Sequence, residues 1–417
     1  MKIFVFIFIV QCFSIEDYIW VISDTHFDSK FAEGGYAHCK SIDCCHEDSV
    51  PKGNNFETAQ FCGHHSCHAP LETIMSGMDF IKSHESISKN VIWLMDVIPS
   101  DMFQMTKQRN LNDLEMFHNE LKRRLPGFTV LPSIGNHDYF ETSFWAFPPK
   151  SQWMLNNMSL WWKDWLSPEE IATTKKGGYY IHQLPSGINI ISLQTAYFDI
   201  MNSHAGEYPK TDPGEMMMWF NATLKVLREK GQKAIIISHE SIGLKITGMM
   251  DVNPYFTRDF LELYKEYSDV IIGHLAGHNH IEGYRLYPGE DPFYSVIINP
   301  AMTPKGSNPS LRLYKFNDQH IIDYTTYYLN LDQCNAEHKY TWVKSYNTQE
   351  EYGLVNLGNS EIGRLHYMLK NDNVAWSKFM KHFSTELPNS CEGNCRKQKL
   401  CSMENMRESG YAECIKK

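Results

Sequence analysis

Five apolar runs in this chain each end in a short cluster of metal-binding residue types, and this feature constrains the fold most. The runs have the composition of buried strands and read YIWVIS, VIWLM, TVLPSI, AIIIS and VIIG. The clusters after them are Asp24-Thr25-His26, Asp96, Gly135-Asn136-His137-Asp138, His239 and Gly277-His278-Asn279-His280. Side chains at the ends of such strands project into one shared cleft. The pattern therefore predicts a hydrolytic site for two metal ions.

The spacing of the strands predicts an α/β fold. The first part alternates strand, loop and helix, with an apolar helical stripe over residues 112–125 and a second helix that opens at Asp212-Pro213 and ends at Gly231. Later strands follow with little helix between them: GYYIHQL, INIISLQT, YSVIINP, LRLYKF and HIIDYTTYYL. We expect two mixed β-sheets packed as a sandwich and flanked by helices.

The chain changes character from about Gln333 onward. Helical patterns cover residues 352–369 and 374–383, and four cysteines lie in the last 27 residues. We interpret this part as a small helical subdomain tied by disulfides. The predicted boundaries are 1–14 for a signal peptide, 15–332 for the catalytic domain and 333–417 for the C-terminal subdomain.

The first residues, MKIFVFIFIVQCFS, are typical of a cleaved signal peptide. Lys2 precedes an apolar stretch from Ile3 to Val10 that is too short to cross a membrane; the alternative is an edge strand. No later segment has the roughly 20 apolar residues of a transmembrane helix. We expect a protein with no stable membrane insertion, secreted or held in a vesicular or lysosome-like lumen.

The eleven cysteines fit an exported protein. Cys12 would leave with the signal peptide, and most of the others cluster near the two ends, as disulfides do in an oxidising compartment. The segment from Cys62 to His68 has a rival interpretation as a zinc site, which the export signal disfavours. Two sequons, at Asn157 and Asn221, predict glycosylation.

The charge balance disfavours a nucleic-acid partner. The chain has 49 acidic and 39 basic residues, a net charge of −10, with no basic run. Because nucleic-acid binding depends on clustered Lys and Arg, we expect a small-molecule phosphodiester or nucleotide substrate, and a monomer.

The residue types in the clusters suit a pair of transition-metal ions. Asp24 and His26 lie two residues apart, so an extended backbone points them to the same side. A carboxylate such as Asp96 can bridge two cations about 3.5–4 Å apart. Asn136 offers a neutral carbonyl oxygen, and imidazoles suit zinc, iron or manganese. One cluster alone is weak evidence; the ordered set is a strong signal.

The ordered set resembles that of the calcineurin-like metallophosphoesterases, and among these the acid sphingomyelinase-like phosphodiesterases. The resemblance covers nearly the whole chain. It includes the five clusters, the Cys44-Cys45 loop before the first helix and the segment INPAMTPKGSNPSLRLYKF, which is similar to the family's NPA-TP…NP-R-Y segment. The spacing of the last four cysteines is also similar.

The resemblance implies two divalent metal ions, with zinc favoured. One ion would be held by Asp24, His26, Asp96 and His280. The other would be held by Asp96, Asn136, His239 and His278.

The resemblance also implies how the reaction runs. A hydroxide between the metals would attack phosphorus, and His137 would give a proton to the leaving oxygen or stabilise the oxyanion. Asp138 would orient His137. The implied disulfides are Cys39–Cys44, Cys45–Cys67, Cys391–Cys395 and Cys401–Cys414, while Cys62 and Cys334 pair with each other or stay free.

Two positions depart from the family pattern. Met95 stands where the family usually has glycine, and Ser100 stands where it usually has histidine. Ser100 can donate a hydrogen bond but carries no positive charge. His274 is a candidate to compensate, although a buried structural histidine is the simpler interpretation.

Three functions remain open at this point. The favoured one is hydrolysis of soluble nucleotides, since Asp24 follows the signal peptide closely and leaves no room for the saposin-like domain of the sphingomyelinases. The second is hydrolysis of sphingomyelin with release of phosphocholine. The third is a catalytically weakened binding protein, motivated by Met95 and Ser100.

Overall fold

The computed structural model describes residues 16–100, 105–287, 289 and 292–417. The predicted signal peptide, residues 1–14, lies outside them. The strands are β1 Asp17–Ile22, β2 Asn90–Trp93, β3 Thr129–Pro132, β4 Tyr180–Gln183, β5 Asn189–Leu193, β6 Ala234–Ser238, β7 Ile271–Ala276, β8 Gly283–Leu286, β9 Ser295–Ile298, β10 Ser310–Phe316, β11 Ile321–Leu329 and β12 Trp342–Asn347. The helices are α1 Leu71–Ser83, α2 Lys107–Arg124, α3 Gln152–Trp162, α4 Pro168–Gly177, α5 Met216–Glu229, α6 Pro254–Glu266, α7 Leu331–Glu337, α8 Thr348–Tyr352, α9 Asn359–Asn371, α10 Asn373–Phe383, α11 Asn394–Met403 and α12 Glu408–Lys416.

The strands form two six-stranded mixed sheets, as the sequence predicts. The first has the order β12-β11-β10-β1-β2-β3, with β1, β2 and β3 parallel. The second has the order β4-β5-β6-β7-β9-β8, with β5, β6, β7 and β9 parallel. The five cluster-bearing strands are thus the parallel strands β1, β2 and β3 at one side of the first sheet and β6 and β7 in the middle of the second. Their carboxyl ends point toward one edge of the sandwich.

One hydrophobic core joins the two sheets. The strands that carry the clusters are apolar on both faces, because helices cover one face and the other sheet covers the second. Hydrogen bonds also cross between the sheets: Tyr180 donates to the Pro132 carbonyl at 2.8 Å, and Arg312 donates to the Ile298 carbonyl at 3.2 Å. This packing fixes the distance between the two sets of strand ends.

The helix predictions are confirmed in outline. The stripe predicted over 112–125 lies in α2, which starts earlier because Thr106 caps its first turn by accepting from the Arg109 amide. Asp212 accepts from the amides of Met217 and Met218 ahead of α5. The pattern over 352–369 is interrupted, since the chain leaves α8 through Gly353 at φ 64° before α9 begins.

The C-terminal region is helical and tied by disulfides, but it also completes the first sheet. Strand β12 follows the predicted boundary at residue 332 and pairs with β11. The boundary itself stays a prediction.

Five disulfides are present among the described residues. Four are the pairs implied by the family resemblance, Cys39–Cys44, Cys45–Cys67, Cys391–Cys395 and Cys401–Cys414. The fifth joins Cys62 to Cys334 across 272 residues, which settles the alternative left open for those two. Because Cys62 and Cys67 are both bonded to other cysteines, they have no thiolates to offer a zinc ion.

Both sequons lie on helices. Asn157 is half-buried on α3, where its amide donates to the Trp153 carbonyl at 2.7 Å. Asn221 is exposed on α5. Glycosylation stays a prediction at both positions. Among the described helices, none combines the length and the apolar composition needed to cross a bilayer.

We predict that buried His118 makes stability fall at acid pH. Burial lowers its pKa to about 3, and the neutral ring donates to the Leu114 carbonyl and accepts from Trp162 Nε1. The folded-state pKa lies below the ordinary value of 6.5, so this stabilisation is present above pH 6.5 and is lost as pH falls toward 3. The free energy of unfolding of the wild type should therefore fall relative to that of His118→Phe, by about 1.4 kcal/mol for each pH unit below 6.5. Urea unfolding of both proteins at several pH values measures this. A difference that does not change with pH contradicts the assignment of a neutral buried ring.

Candidate metal centre

Four of the predicted metal ligands meet at the ends of β1, β2 and β7. Asp24, His26, Asp96 and His280 each offer one ligand atom, and these atoms all lie within 4.8 Å of one another. His26 Nε2 is 3.0 Å from Asp96 Oδ2 and 2.9 Å from His280 Nε2. His280 Nε2 is in turn 3.5 Å from Asp24 Oδ1. This is the group that the family resemblance implies for the first metal ion.

The other predicted ligands form a group that adjoins, through His239, the same oxygen of Asp96 that contacts His26. His239 Nε2 is 3.4 Å from Asp96 Oδ2 and 3.1 Å from Asn136 Oδ1. His278 Nδ1 is 3.0 Å from the same Asn136 oxygen. Asp96 therefore contacts both groups through one oxygen, Oδ2, which lies near His26 and near His239.

Neighbouring acceptors fix which ring nitrogen of three histidines faces the centre. His26 Nδ1 donates to the Ile98 carbonyl and His239 Nδ1 donates to the Leu94 carbonyl, both at 2.7 Å. Both rings thus turn Nε2 inward. His278 is oriented in the opposite sense, because its Nε2 lies 3.2 Å from Asp251 Oδ1 and its Nδ1 faces Asn136.

The donor set fits metal cations. Carboxylate oxygens, an amide oxygen and imidazole nitrogens at 2.9–3.4 Å repel each other unless positive charge lies among them. The same charge balance shows in the pKa of His239: burial opposes protonation, yet Asp96 and Asp24 raise the pKa well above its ordinary value. Nitrogen and oxygen ligands of this kind suit zinc, iron or manganese.

Five of the proposed ligands have a backbone conformation that side chains rarely adopt. The φ angles are 47° at Asp24, 35° at His26, 62° at Asp96, 69° at His278 and 59° at His280. Left-handed φ angles cost free energy in non-glycine residues and cluster at functional sites. The tightly folded loops at the strand ends are thus shaped by the site rather than by local preference.

Two glycines let these loops approach each other. A Cβ on Gly135 would lie 2.6 Å from Asp96 Oδ1, and a Cβ on Gly277 would lie 2.7 Å from Asp24 Oδ2. Such distances are shorter than side chains tolerate. Glycine at each position therefore allows one loop to pack directly on the carboxylate of another.

Asp138 has a different role from the one expected. Its carboxylate accepts from the amides of Asp96 at 3.1 Å, Val97 at 2.8 Å and Gly135 at 2.8 Å. Nδ1 of His137 has no hydrogen-bond partner among the described residues. Asp138 therefore holds the loops after β2 and β3 together and does not orient the His137 ring.

His137 itself lies beside the first group of ligands. Its ring is 5.2 Å from the His26 ring, edge to face, and its backbone amide donates to Asp96 Oδ1 at 2.7 Å. It takes no part in the two groups of ligands described above. This placement is compatible with contact to a phosphate bound at the centre.

The two departures from the family pattern have local explanations. Met95 is fully buried at φ 42°, a left-handed angle that favours glycine, so the methionine side chain is accommodated at some cost in backbone strain. Ser100 lies against another imidazole, since its Oγ is 3.0 Å from His68 Nε2. His274 is a buried core residue that contacts Ser238 Oγ and the Tyr294 hydroxyl. It does not compensate for Ser100.

Sequence reasoning missed three residues of this region. Asp251 contacts His278, His68 contacts Ser100, and Lys305 contacts His68. All three lie further along their loops and do not directly follow the strand that precedes each loop. Their roles follow from charged and polar side chains being buried next to the proposed ligands, and a single sequence does not reveal that burial.

Comparison with known proteins places the chain in a family. Residues 18–282, well over half of the chain, match the family "Calcineurin-like phosphoesterase". The chain belongs to the calcineurin-like phosphoesterases. Residues 292–417 match "Acid sphingomyelin phosphodiesterase C-terminal region". Phosphoesterases of this family use divalent metals, and this member is a hydrolase acting on phosphodiesters.

Three curated relatives share most of the length of this phosphoesterase. "Sphingomyelinase phosphodiesterase C" of Dictyostelium discoideum is 27% identical over 417 residues, 95% of this chain and 92% of that protein. "Cyclic GMP-AMP phosphodiesterase SMPDL3A" of Homo sapiens is 27% identical, over 95% of this chain and 89% of that protein. "Sphingomyelin phosphodiesterase" of Bos taurus is 25% identical, over 94% of this chain but 65% of that protein.

We predict that Gly277→Ala impairs the metal centre of this phosphoesterase. The added methyl group would collide with Ser23 Oγ and with the Asp24 carboxylate that accepts a hydrogen bond from it, and would displace both. A displacement of about 1 Å can cost about a hundredfold in turnover, and bound metal should fall as well. Metal analysis of the purified protein and a phosphodiesterase assay measure both. The control is Gly206→Ala, where nothing lies within 4 Å of the added Cβ. Full metal content and full turnover in Gly277→Ala contradict the prediction.

Proposed function

We propose that this phosphoesterase is a two-metal phosphodiesterase that hydrolyses soluble nucleotides. The observation that supports this most is the position of Asp96 between two groups of ligands. One carboxylate oxygen, Oδ2, is 3.0 Å from His26 Nε2 of the first group and 3.4 Å from His239 Nε2 of the second. A carboxylate in that position can bridge two cations.

The proposed ligands divide into two sets around Asp96. The first set is Asp24, His26, Asp96 and His280, and the second set is Asp96, Asn136, His239 and His278. When bound, two divalent cations supply Lewis acidity and lower the pKa of the attacking water. We favour zinc, because imidazole supplies four of the seven side chains. Asp138 and Asp251 act on these ligands indirectly, by holding the Asp96 loop and the His278 ring.

We assign proton transfer to His137. The attacking water loses a proton to solvent, and its oxygen bonds to phosphorus as the bond from phosphorus to the leaving oxygen breaks. His137 gives a proton to the leaving oxygen and regains one from solvent. Burial lowers the pKa of His137 to about 3 in the free protein, although the charge of Asp96 acts in the opposite direction. A bound phosphate adds negative charge beside the ring, raises this pKa and so favours the protonated form in the complex.

The relatives of this chain support two substrate classes, nucleotides and sphingomyelin. The human relative named as a cyclic GMP-AMP phosphodiesterase matches this chain over 89% of its length, which favours a nucleotide. The Dictyostelium relative named as a sphingomyelinase matches over 92% of its length, so sphingomyelin is the second candidate. We favour the nucleotide, for which the surroundings of Lys305 give an independent argument below.

We also propose that the protein works as a monomer in an oxidising compartment, secreted or in a vesicular or lysosome-like lumen. Five disulfides among the described residues support that environment.

The substrate proposal is tested by comparing turnover of two compound classes. The purified protein, loaded with zinc, is assayed for hydrolysis of nucleotide substrates and for phosphocholine release from sphingomyelin micelles. We expect nucleotide turnover to exceed lipid turnover. Much faster lipid turnover reverses the assignment, and inactivity on both classes supports the weakened binding protein.

The metal and proton roles are separated by two variants. Asp96→Asn should lose both bound metal and turnover, because the amide cannot bridge two cations. His137→Ala should keep its metal and lose about a hundredfold or more in kcat, the usual contribution of a general acid. Metal analysis with steady-state kinetics distinguishes the two. Full kcat in His137→Ala would show that another group donates the proton.

A further inference from the structure

A buried polar cluster outside the proposed ligands adjoins the metal centre. Asp43 and His68 belong to the loop before α1, and Lys305 belongs to the loop before β10. Lys305 Nζ is 3.0 Å from Asp43 Oδ1 and 3.2 Å from His68 Nε2. His68 Nε2 also contacts Ser100, accepting from its amide at 3.2 Å. This group, the Lys305 cluster, lies where the expected imidazole at position 100 is missing.

The backbone and the rings connect the Lys305 cluster directly to the metal ligands. The Thr303 amide donates to the Asp24 carbonyl at 3.0 Å, which anchors the loop that carries Lys305. The His68 ring lies 5.1 Å from the His26 ring, about as close as His137 on its own side of His26. Lys305 therefore stands two contacts away from a proposed ligand.

Lys305 has a donor to spare. An ammonium group has three N–H donors, and Asp43 and His68 take two of them. Its side chain is 31% exposed, whereas that of Asp43 is almost completely buried. The ammonium group of Lys305 is thus held by two buried partners, while its side chain stays partly exposed. Two buried polar atoms of the same region, His68 Nδ1 and Thr303 Oγ1, have no hydrogen-bond partner among the described residues.

We propose that Lys305 binds a phosphate oxygen of the substrate beside the metal centre, and that Asp43 and His68 position its ammonium group. The inference rests on the proposed function and narrows it. A fixed ammonium attracts a second phosphate group of a nucleotide, and it repels the quaternary ammonium of phosphocholine. Lys305 is therefore a specificity residue that favours polyanionic nucleotides over phosphocholine lipids.

The net charge of the protein makes a contact between Lys305 and a phosphate important for binding a polyanion. The protein has a net charge of −10, so its overall field repels a polyanion. An ammonium group held beside the proposed ligand His26, through His68, offsets that field locally. His68 assists as a neutral acceptor, because burial lowers its pKa to about 4.

Direct binding tests the proposal without any need for turnover. Isothermal titration calorimetry on the zinc-loaded protein measures the dissociation constants of α,β-methylene-ADP, which resists cleavage between its phosphates, and of phosphocholine. Lys305→Ala should weaken the ADP analogue about tenfold, the effect of one charge-assisted hydrogen bond partly screened by solvent. Phosphocholine should bind as well as before or more tightly. Lys305→Arg should retain most of the affinity for the ADP analogue.

Lys315→Ala is the matched control. Lys315 is 28% exposed and pairs with Glu16 at 2.8 Å, but it stands beside Tyr18 at the opposite end of β1 from Asp24. Its loss should change neither dissociation constant. Unchanged affinity of Lys305→Ala for the ADP analogue overturns the proposal, as does an equal loss for both ligands or no binding of the analogue to the wild type. Failure of the nucleotide function itself shows separately, as turnover of sphingomyelin in preference to nucleotides.

Discussion

Two buried carboxylates, Asp24 and Asp96, bring negative charge into one small space at the edge of two sheets. Ligand oxygens of both lie within 4.8 Å of the same histidine nitrogens. Two unit charges at that separation repel by about 3 kcal/mol even at an effective dielectric constant of about 20. Positive charge must balance them, and the surrounding histidines supply nitrogen atoms that can bind cations or protons. Most features of this part of the molecule follow from that requirement.

The surrounding structure holds the acceptors together in spite of their repulsion. Asp138 ties two amides of the Asp96 loop to the Gly135 amide of its own loop, and carbonyls of buried residues orient His26 and His239. Left-handed backbone angles at five proposed ligands add strain that the packed sheets must support. Cooperation of this kind is expected where a site is preorganised before its ions bind.

The sequence predicts the sheets and the proposed ligands for the same reason. Each ligand cluster follows directly after a buried parallel strand, so local pattern and position in the fold coincide at Asp24, Asp96, Asn136, His239 and His278. That coincidence fails for Asp251, His68 and Lys305, which reach the centre from loops and meet it only in three dimensions. It fails also for Asp138, because loop geometry decides whether its carboxylate faces the His137 ring or three backbone amides. Strand β12 was missed since its neighbours in sequence are helical.

The central claim is that Asp96 bridges two metal ions. An anomalous difference map, collected at the zinc absorption edge from crystals of the zinc-loaded protein, locates the ions directly. The account predicts two peaks about 3.5–4 Å apart with Asp96 in contact with both. A single peak, or two peaks of which Asp96 contacts only one, would contradict it.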